Sequence, residues 1–98
     1  MSISTSTVGN KHTIKLQGRF DFSVQAEFRS AYEEVTGGHA FILDFATADY
    51  MDSSALGMLL LLRDYAGGDD AKVELINCRA EIKNILEISN FQKLFKLS

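Results

Sequence analysis

The strongest constraint on the fold of this chain is a regular alternation of strand-like and helix-like segments. Residues 41–45, FILDF, form an almost continuous apolar run with the length of a strand, and residues 71–77 give a second strand pattern. Apolar side chains recur at helical spacing in residues 24–35 and 55–62, and a third helical face follows at residues 82–86. Strands separated by helices, in units of about 30 residues joined by right-handed crossovers, predict an α/β fold with a mostly parallel sheet.

An antiparallel hairpin is expected to open the fold. Polar and apolar residues alternate in residues 3–7 and again in residues 12–16, on either side of Gly9 and Asn10, which suit a tight turn. The sheet is therefore predicted to be mixed, with four to five strands and three to four helices. The nearly continuous apolar character of residues 41–45 further predicts an interior strand that is covered on both faces.

The helix ends can be placed from residues that cap or stop helices. Ser23 is expected to cap the first helix, and Gly37 and Gly38 are expected to end it. Residues 46–50 are expected to link the central strand to the second helix, which is so apolar that the sequence predicts a buried helix. Its apolar run is far shorter than the ~20 residues that span a bilayer, so membrane insertion is not expected.

The composition of the chain narrows its class. Its 98 residues suffice for one domain, residues 1–98, with a single core. Ten basic and thirteen acidic residues give a net charge of −3, and without a basic block neither nucleic acid nor a membrane surface is an expected partner. One cysteine and two histidines argue against a metal site. The first residues have no basic start and no long apolar core, so we expect a cytoplasmic protein.

Residues that could carry out catalysis are few. A nucleophilic serine needs a histidine within hydrogen-bond reach, and it often stands in a G-x-S-x-G turn. Ser53 and Ser54 lack that context, while His12, on a half-exposed strand, and His39, after two glycines, are expected to be exposed bystanders. The sequence contains no glycine-rich phosphate loop. It therefore predicts no enzyme, no catalytic residues and no cofactor.

Asp52, Ser53 and Ser54 precede the second helix. Asp and Ser are preferred at helix starts because their oxygens accept hydrogen bonds from free backbone N–H groups, so capping alone accounts for them. The segment MDSSALGMLL, starting at Met51, nevertheless resembles the D-S-[ST]-[GA]-L-G segment of the STAS domain family, in particular the bacterial anti-sigma factor antagonists. LQGRFD at residues 16–21 is similar to the L-x-G-x-x-D turn of that family, and FILDF is similar to its central strand. The resemblance covers nearly the whole chain, in the same order.

The resemblance implies a single STAS domain that works as a switch. In that family the serine directly after the motif aspartate is phosphorylated, which points to Ser53 here, with Ser54 as the second choice. The unphosphorylated form binds a partner, commonly a serine kinase with a GHKL-type ATP site that otherwise sequesters a sigma factor. Phosphorylation of the domain by that kinase ends the binding between them, and a metal-dependent serine phosphatase restores it. The domain is then a substrate and a switch, not an enzyme.

Further residues are predicted to bind the partner. Asp21 corresponds to the turn acid of the family, which lies near the phosphosite, and it either touches the partner or caps the first helix. Asp52 and Ser54 stand beside the predicted phosphosite, where Ser54 serves the helix start or contacts the partner. Gly57 lowers helix stability by about 1 kcal/mol relative to Ala, so it predicts close packing or close approach of a partner. Leu56 either packs inside or contacts the partner.

Two other functions stay open. The first is a constitutive STAS interaction module of a transporter or stress-signalling complex, in which Asp52, Ser53 and Ser54 only cap a helix. The second is a small hydrolase that uses Ser53. Ala55 stands where the family commonly has glycine, and Arg19 and Phe20 replace an acidic-aliphatic pair, so the identity of the partner is left open.

Overall fold

The computed structural model describes residues 3–98, which form a five-stranded mixed sheet packed against three α-helices. The strands are β1 (Ile3–Val8), β2 (Lys11–Phe20), β3 (Ala40–Met51), β4 (Val73–Ile76) and β5 (Lys96–Leu97), and the helices are α1 (Gln25–Tyr32), α2 (Ser53–Tyr65) and α3 (Ala80–Ile88). Short 3-10 turns lie at Phe22–Val24, Gly68–Asp70 and Phe91–Lys93. The α/β class, the mixed sheet and the N-terminal hairpin predicted from the sequence are confirmed.

The order of the strands across the sheet is their order along the chain. β1 and β2 pair antiparallel, and every later pair is parallel. Each crossover from β2 to β5 therefore moves by one strand in the same direction, so right-handed connections put α1, α2 and α3 on one face of the sheet. The buried side chains of helices and strands form a single cluster there, and the opposite face carries no helix within residues 3–98.

The burial of β3 follows from this one-sided arrangement. The side chains of Phe41, Leu43 and Phe45 are completely buried, whereas Ile42 and Asp44 between them are only half-buried. Successive side chains of a strand point to opposite faces, and only one face is covered by helices. The expectation that both faces of this strand are covered is therefore wrong.

Two further expectations, for residues 46–50 and for the burial of α2, are wrong. Residues 46–50 are not a link, because β3 continues through them to Met51 and pairs with β2. α2 is buried on one side only: Leu60 and Leu61 are exposed, because the helix lies on the outside of a two-layer structure. Its buried side chains are Ala55, Met58, Leu59 and Leu62. None of the helices within residues 3–98 has both the length and the apolar character of a membrane span.

The first helix starts and ends differently from the expectation. Asp21, not Ser23, accepts the capping hydrogen bond at the turn Phe22–Val24, because Asp21 is the first residue after β2 and still has extended backbone. α1 ends at Tyr32, well before Gly37. Between the two, Val35 keeps its contact with the core from an irregular segment.

His12 is a core residue rather than an exposed bystander. Its side chain is completely buried in β2 on the same face as Ile14. The Nε2 atom lies 2.8 Å from the carbonyl oxygen of Ala31 in α1, and Nδ1 lies 2.7 Å from Oγ1 of Thr7 in β1. Because a carbonyl only accepts, we assign the proton to Nε2, so that the Thr7 hydroxyl donates to Nδ1. His12 thus ties the hairpin to the last turn of α1.

Replacing His12 by Ala is expected to lower the free energy of unfolding by about 2–4 kcal/mol, because it leaves a cavity and deprives the Ala31 carbonyl of its donor. His39→Ala is the matched control, since His39 is partly exposed and its ring hydrogen-bonds to the neighbouring Thr36. Urea denaturation of the two variants measures the difference. Equal stability of both variants would contradict the core role of His12.

Candidate functional site

The candidate site lies where β2 and β3 end side by side. The two strands are parallel, and Phe20 pairs with Met51 at their carboxyl ends. Each strand is followed directly by an aspartate that begins a helical turn, Asp21 after β2 and Asp52 after β3. The register of the sheet therefore brings two equivalent strand-to-helix turns together at one edge of the molecule.

Asp52 is the N-cap of α2. Its Oδ1 atom accepts hydrogen bonds from the backbone N–H groups of Ser54 at 3.1 Å and Ala55 at 3.3 Å. The Ser54 hydroxyl donates to the same oxygen at 2.6 Å. Asp52 and Ser54 therefore both serve the start of the helix, as the capping interpretation of these residues predicts. Their contact with a partner stays a prediction.

Asp21 repeats this arrangement one strand away. Its Oδ1 atom accepts from the backbone N–H and from the hydroxyl of Ser23, and its Oδ2 atom lies 3.2 Å from Nε of Arg19. The Ser23 hydroxyl, then the Ser23 N–H and Arg19, lower the pKa of the Asp21 carboxyl, which keeps it ionised. The Arg19 guanidinium in turn lies over the Tyr50 ring, 4.0 Å from its centre. Of the two roles predicted for Asp21, capping is what these contacts show.

The two turns expose the residue in the middle of each Asp-x-Ser triplet. In the first turn this residue is Phe22, whose side chain is 66 % exposed, and in the second it is Ser53, which is also exposed. Within residues 3–98 the Ser53 hydroxyl makes no hydrogen bond, whereas the Ser54 hydroxyl is held by Asp52. Phe22 and Ser53 each lie two residues beyond the paired residues Phe20 and Met51, so they occupy equivalent positions on neighbouring strands.

The outer face of α2 continues from Ser53. Gly57 lies one turn further along, followed by Leu60 and Leu61, whose side chains are 42 % and 54 % exposed. A Cβ atom built on Gly57 would meet nothing within 4 Å among residues 3–98, so close packing within that part of the chain does not explain this glycine. Leu56, by contrast, is partly buried against the core, so only part of its surface can reach a partner.

A groove between α1 and α2 borders this face. It has a volume of about 260 Å³, and exposed Leu61 and buried Met58 line it from α2. Tyr32 contributes a ring from α1, and burial raises the pKa of its hydroxyl, which therefore stays neutral. Arg29 and Glu33 form an ion pair at its rim, 3.1 Å between Nε and Oε2.

The arrangement suits binding and modification. A helix N-terminus favours negative charge because its free N–H groups and the aligned peptide dipoles are positive there. Ser53, the first residue of α2, is at that end with a free hydroxyl. Beside it stand an exposed aromatic ring and a face of α2 with two exposed leucines, which are features of protein interfaces.

All six residues singled out from the sequence lie at this edge, and one exposed residue beside them, Phe22, was missed. Asp52 caps α2, and Asp21 lies on the adjacent strand-to-helix turn. The first turns of α2 contain Ser53, Ser54, Leu56 and Gly57. Phe22 was not predicted as a site residue. The repeated Asp-x-Ser pattern, Asp21-Phe22-Ser23 and Asp52-Ser53-Ser54, could have indicated that Phe22 and Ser53 occupy equivalent positions.

The fold is that of a STAS domain. A match to the STAS domain family covers residues 2–98, and the chain belongs to that family. A relative, the STAS-domain containing protein PA14_20770 of Pseudomonas aeruginosa (strain UCBPP-PA14), is 53% identical over 94 residues, which make up 95% of this chain and 93% of that protein.

Solved structures with low sequence identity share the fold. An anti-sigma factor antagonist from Mycobacterium paratuberculosis superposes with a TM-score of 0.79 at 11% identity, covering 97% of this chain and 82% of that one. The anti-sigma factor antagonist SpoIIAA in its unphosphorylated form gives a TM-score of 0.68 at 20% identity, covering 98% and 86%. Its phosphorylated form, from Bacillus, gives 0.68 at 19% identity, covering 98% and 90%. The resemblance to the STAS family and to SpoIIAA-like antagonists is thus confirmed.

Asp52→Ala is expected to lower the free energy of unfolding by about 1 kcal/mol, because it removes the acceptor of three hydrogen bonds at the start of α2. Asp52→Asn keeps a carbonyl oxygen at the same place, and we expect it to recover most of the loss. Chemical denaturation compares the three proteins. An Ala variant as stable as the wild type would rule out the cap as a stabilising contact.

Proposed function

We propose that this protein is a phosphorylation-controlled partner-switching regulator of the anti-sigma factor antagonist type. In its unphosphorylated form it binds a serine kinase of the GHKL anti-sigma type through the surface formed by Phe22, Ser53, Gly57 and Leu61. Phosphorylation of Ser53 by that kinase ends binding, and a metal-dependent serine phosphatase restores it. The protein itself is a substrate in the cytoplasm and not an enzyme.

The contrast between Ser53 and Ser54 carries this proposal. Both are serines at a helix start, but the Ser54 hydroxyl donates to Asp52 at 2.6 Å, whereas Ser53 is exposed with its hydroxyl unengaged. Transfer of a phosphoryl group needs a hydroxyl that can enter the active site of another protein. Ser53 meets this requirement without breaking a cap, and Ser54 does not.

Phosphorylation at Ser53 is compatible with the fold. A phosphoryl group adds about 1.5–2 negative charges at pH 7, and a helix N-terminus accommodates such charge well. Ser53 makes no contact in the core, so the helix and its cap need not rearrange. The modification therefore acts on what binds the surface rather than on the domain.

Gly57 supports the location of the partner surface. An exposed glycine in a helix lowers stability, and no atom of the described residues 3–98 occupies the space that a Cβ would fill. Of the two explanations predicted for Gly57, close packing and close approach of a partner, we therefore adopt the second. Exposed Leu61, one turn further along, then offers an apolar contact with the groove beside it.

The mechanism of release is electrostatic. The Asp52 carboxylate stands directly beside Ser53, so a phosphate on Ser53 presents the partner with a concentrated negative charge, whereas the Asp21 carboxylate at the same edge is paired with Arg19. Burying such a charge in an interface without a matching cation is costly, and each 1.4 kcal/mol weakens binding about tenfold. A few kcal/mol are enough to end binding.

The phosphosite is tested by mass spectrometry of the protein purified from its own cells. We expect one phosphate per chain, on the peptide that contains residues 51–63, and its loss in Ser53→Ala. Ser54→Ala is the matched control and should keep the phosphate, although its helix is slightly less stable. Phosphate on the Ser53→Ala variant would refute the site, and a wild-type chain never phosphorylated under any growth condition would favour the constitutive module.

The partner surface is tested with four variants in affinity capture from the same cells, followed by titration of the purified partner. Ser53→Asp and Leu61→Glu are each expected to weaken binding of the kinase at least about tenfold, since they place charge in the interface. Ile88→Glu, in a side chain that is 73 % exposed on α3, should bind normally. Gly57→Ala should raise the free energy of unfolding by about 1 kcal/mol and still weaken binding. Unchanged binding in Leu61→Glu would remove α2 from the interface.

A further inference from the structure

A second groove lies on the face of the sheet that carries no helix. It has a volume of about 330 Å³ and lies at the amino ends of the parallel strands, opposite to the edge with Ser53. β5 is only two residues long and pairs with Glu74 and Leu75, so the start of β4 has no strand beside it there. The missing length of β5 creates the groove, and Leu94 lines its outer side.

Three lysines surround this groove. Lys11 pairs with Ala40, and Lys72 lies on the other side of Ala40, where its carbonyl accepts from the Phe41 N–H at 2.8 Å. Phe41 faces the core, so Ala40 beside it faces the open side, and the two lysines flank it on that side. The third lysine, Lys96 on β5, pairs with Glu74 on β4.

The basic residues that line this groove outnumber its acidic residues. Within residues 3–98 none of the ion pairs involves Lys11, Lys72 or Lys96, and Glu74 is the one acid among the residues that line the groove. The lining thus carries three positive charges and one negative charge, in a chain whose net charge is −3. An anion held between Lys11 and Lys72 would relieve their mutual repulsion.

The floor of the groove is apolar. Ala40, Ile42 and Ala71 are partly exposed there, and the Leu94 side chain is 38 % exposed. Ile42 is one of the half-buried residues of β3 that no helix covers. The volume is at the lower end of the ~300–1,000 Å³ of small-molecule sites, so the space suits a small ligand rather than a folded domain. A ligand that fits has an anionic head and a short apolar body.

We propose that this groove binds a small organic anion with an apolar tail, of the class of medium-chain carboxylates. Lys11 and Lys72 hold the carboxylate over Ala40 by charge-assisted hydrogen bonds, and Ile42 and Leu94 contact the tail. The site does not depend on the phosphorylation state of Ser53, since it lies at the other end of the strands.

Octanoate is the probe, titrated into the complete isotope-labelled chain and followed by two-dimensional NMR of the backbone amides. We expect saturable shifts at Ala40, Ile42, Ala71 and Leu94, with the amide of Ser53 unmoved. Acetate, which lacks the tail, and octanol, which lacks the charge, should each bind at least about tenfold more weakly. Octanol binding as tightly as octanoate, or the absence of saturable shifts, would overturn the proposal.

Two lysine variants identify the head-group site. The double variant Lys11→Gln/Lys72→Gln is expected to bind octanoate at least about tenfold more weakly, the order of loss for a hydrogen bond to a charged group. Lys15→Gln is the matched control, because Lys15 lies on β2 beyond the groove and pairs with Asp44. Equal affinity of the double variant and the control would refute the site. Shifts of the groove amides with protein concentration alone, together with dimers in sedimentation, would assign the groove to a second copy of the chain instead.

Discussion

The parallel pairing of β2 with β3 is the constraint on which the rest of the structure depends. It is the longest pairing in the sheet, and it sets Phe20 opposite Met51, so that two strands end together and two aspartate-capped turns begin together. A shift of this register by one residue would turn the core residues of a strand to the open face and separate Ser53 from Phe22. The two irregularities in the register, between Lys15 and Gln17 and between Gly18 and Arg19, adjust the two strands to this common end. The core and the candidate site thus rest on the same backbone hydrogen bonds.

Local sequence patterns predicted the strands and helices. Which face of a strand is buried depends on the topology of the whole sheet. The hairpin and the helices follow from periods of two and 3.6 residues, which each segment shows by itself. Burial of Ile42 could not be read in this way, because it depends on three crossovers that all move in one direction and leave one face of the sheet bare. The burial of His12 could have been predicted, because strict alternation along β2 puts its side chain on the same face as those of Ile14 and Leu16.

In the candidate site, too, some features follow from local sequence and others from the pairing of the strands. Asp52 as a helix cap follows from its residue type and its place before the apolar run. Which of the two following serines keeps a free hydroxyl does not, because it depends on the hydrogen bond from the Ser54 hydroxyl to Asp52. Asp21 and Ser23 are both able to cap, and the choice between them depends on where β2 ends, which its partner strand decides. Phe22 becomes part of the site only through the pairing of two strands whose ends are about 30 residues apart in sequence, a distance that local periodicity does not cross.

The one-sided placement of the helices gives the molecule two surfaces of different kinds. On one side, the helices cover the sheet, and the outer face of α2 exposes Ser53, Leu60 and Leu61. On the other side, no helix within residues 3–98 covers the sheet, so a single layer of backbone separates the core residues Phe41 and Leu43 from that surface. Side chains that touch solvent there alternate, residue by residue, with side chains that pack beneath α2. Whatever lies on the bare side is therefore separated from the helix layer by a single sheet, and both sides can be occupied at once without competing for space.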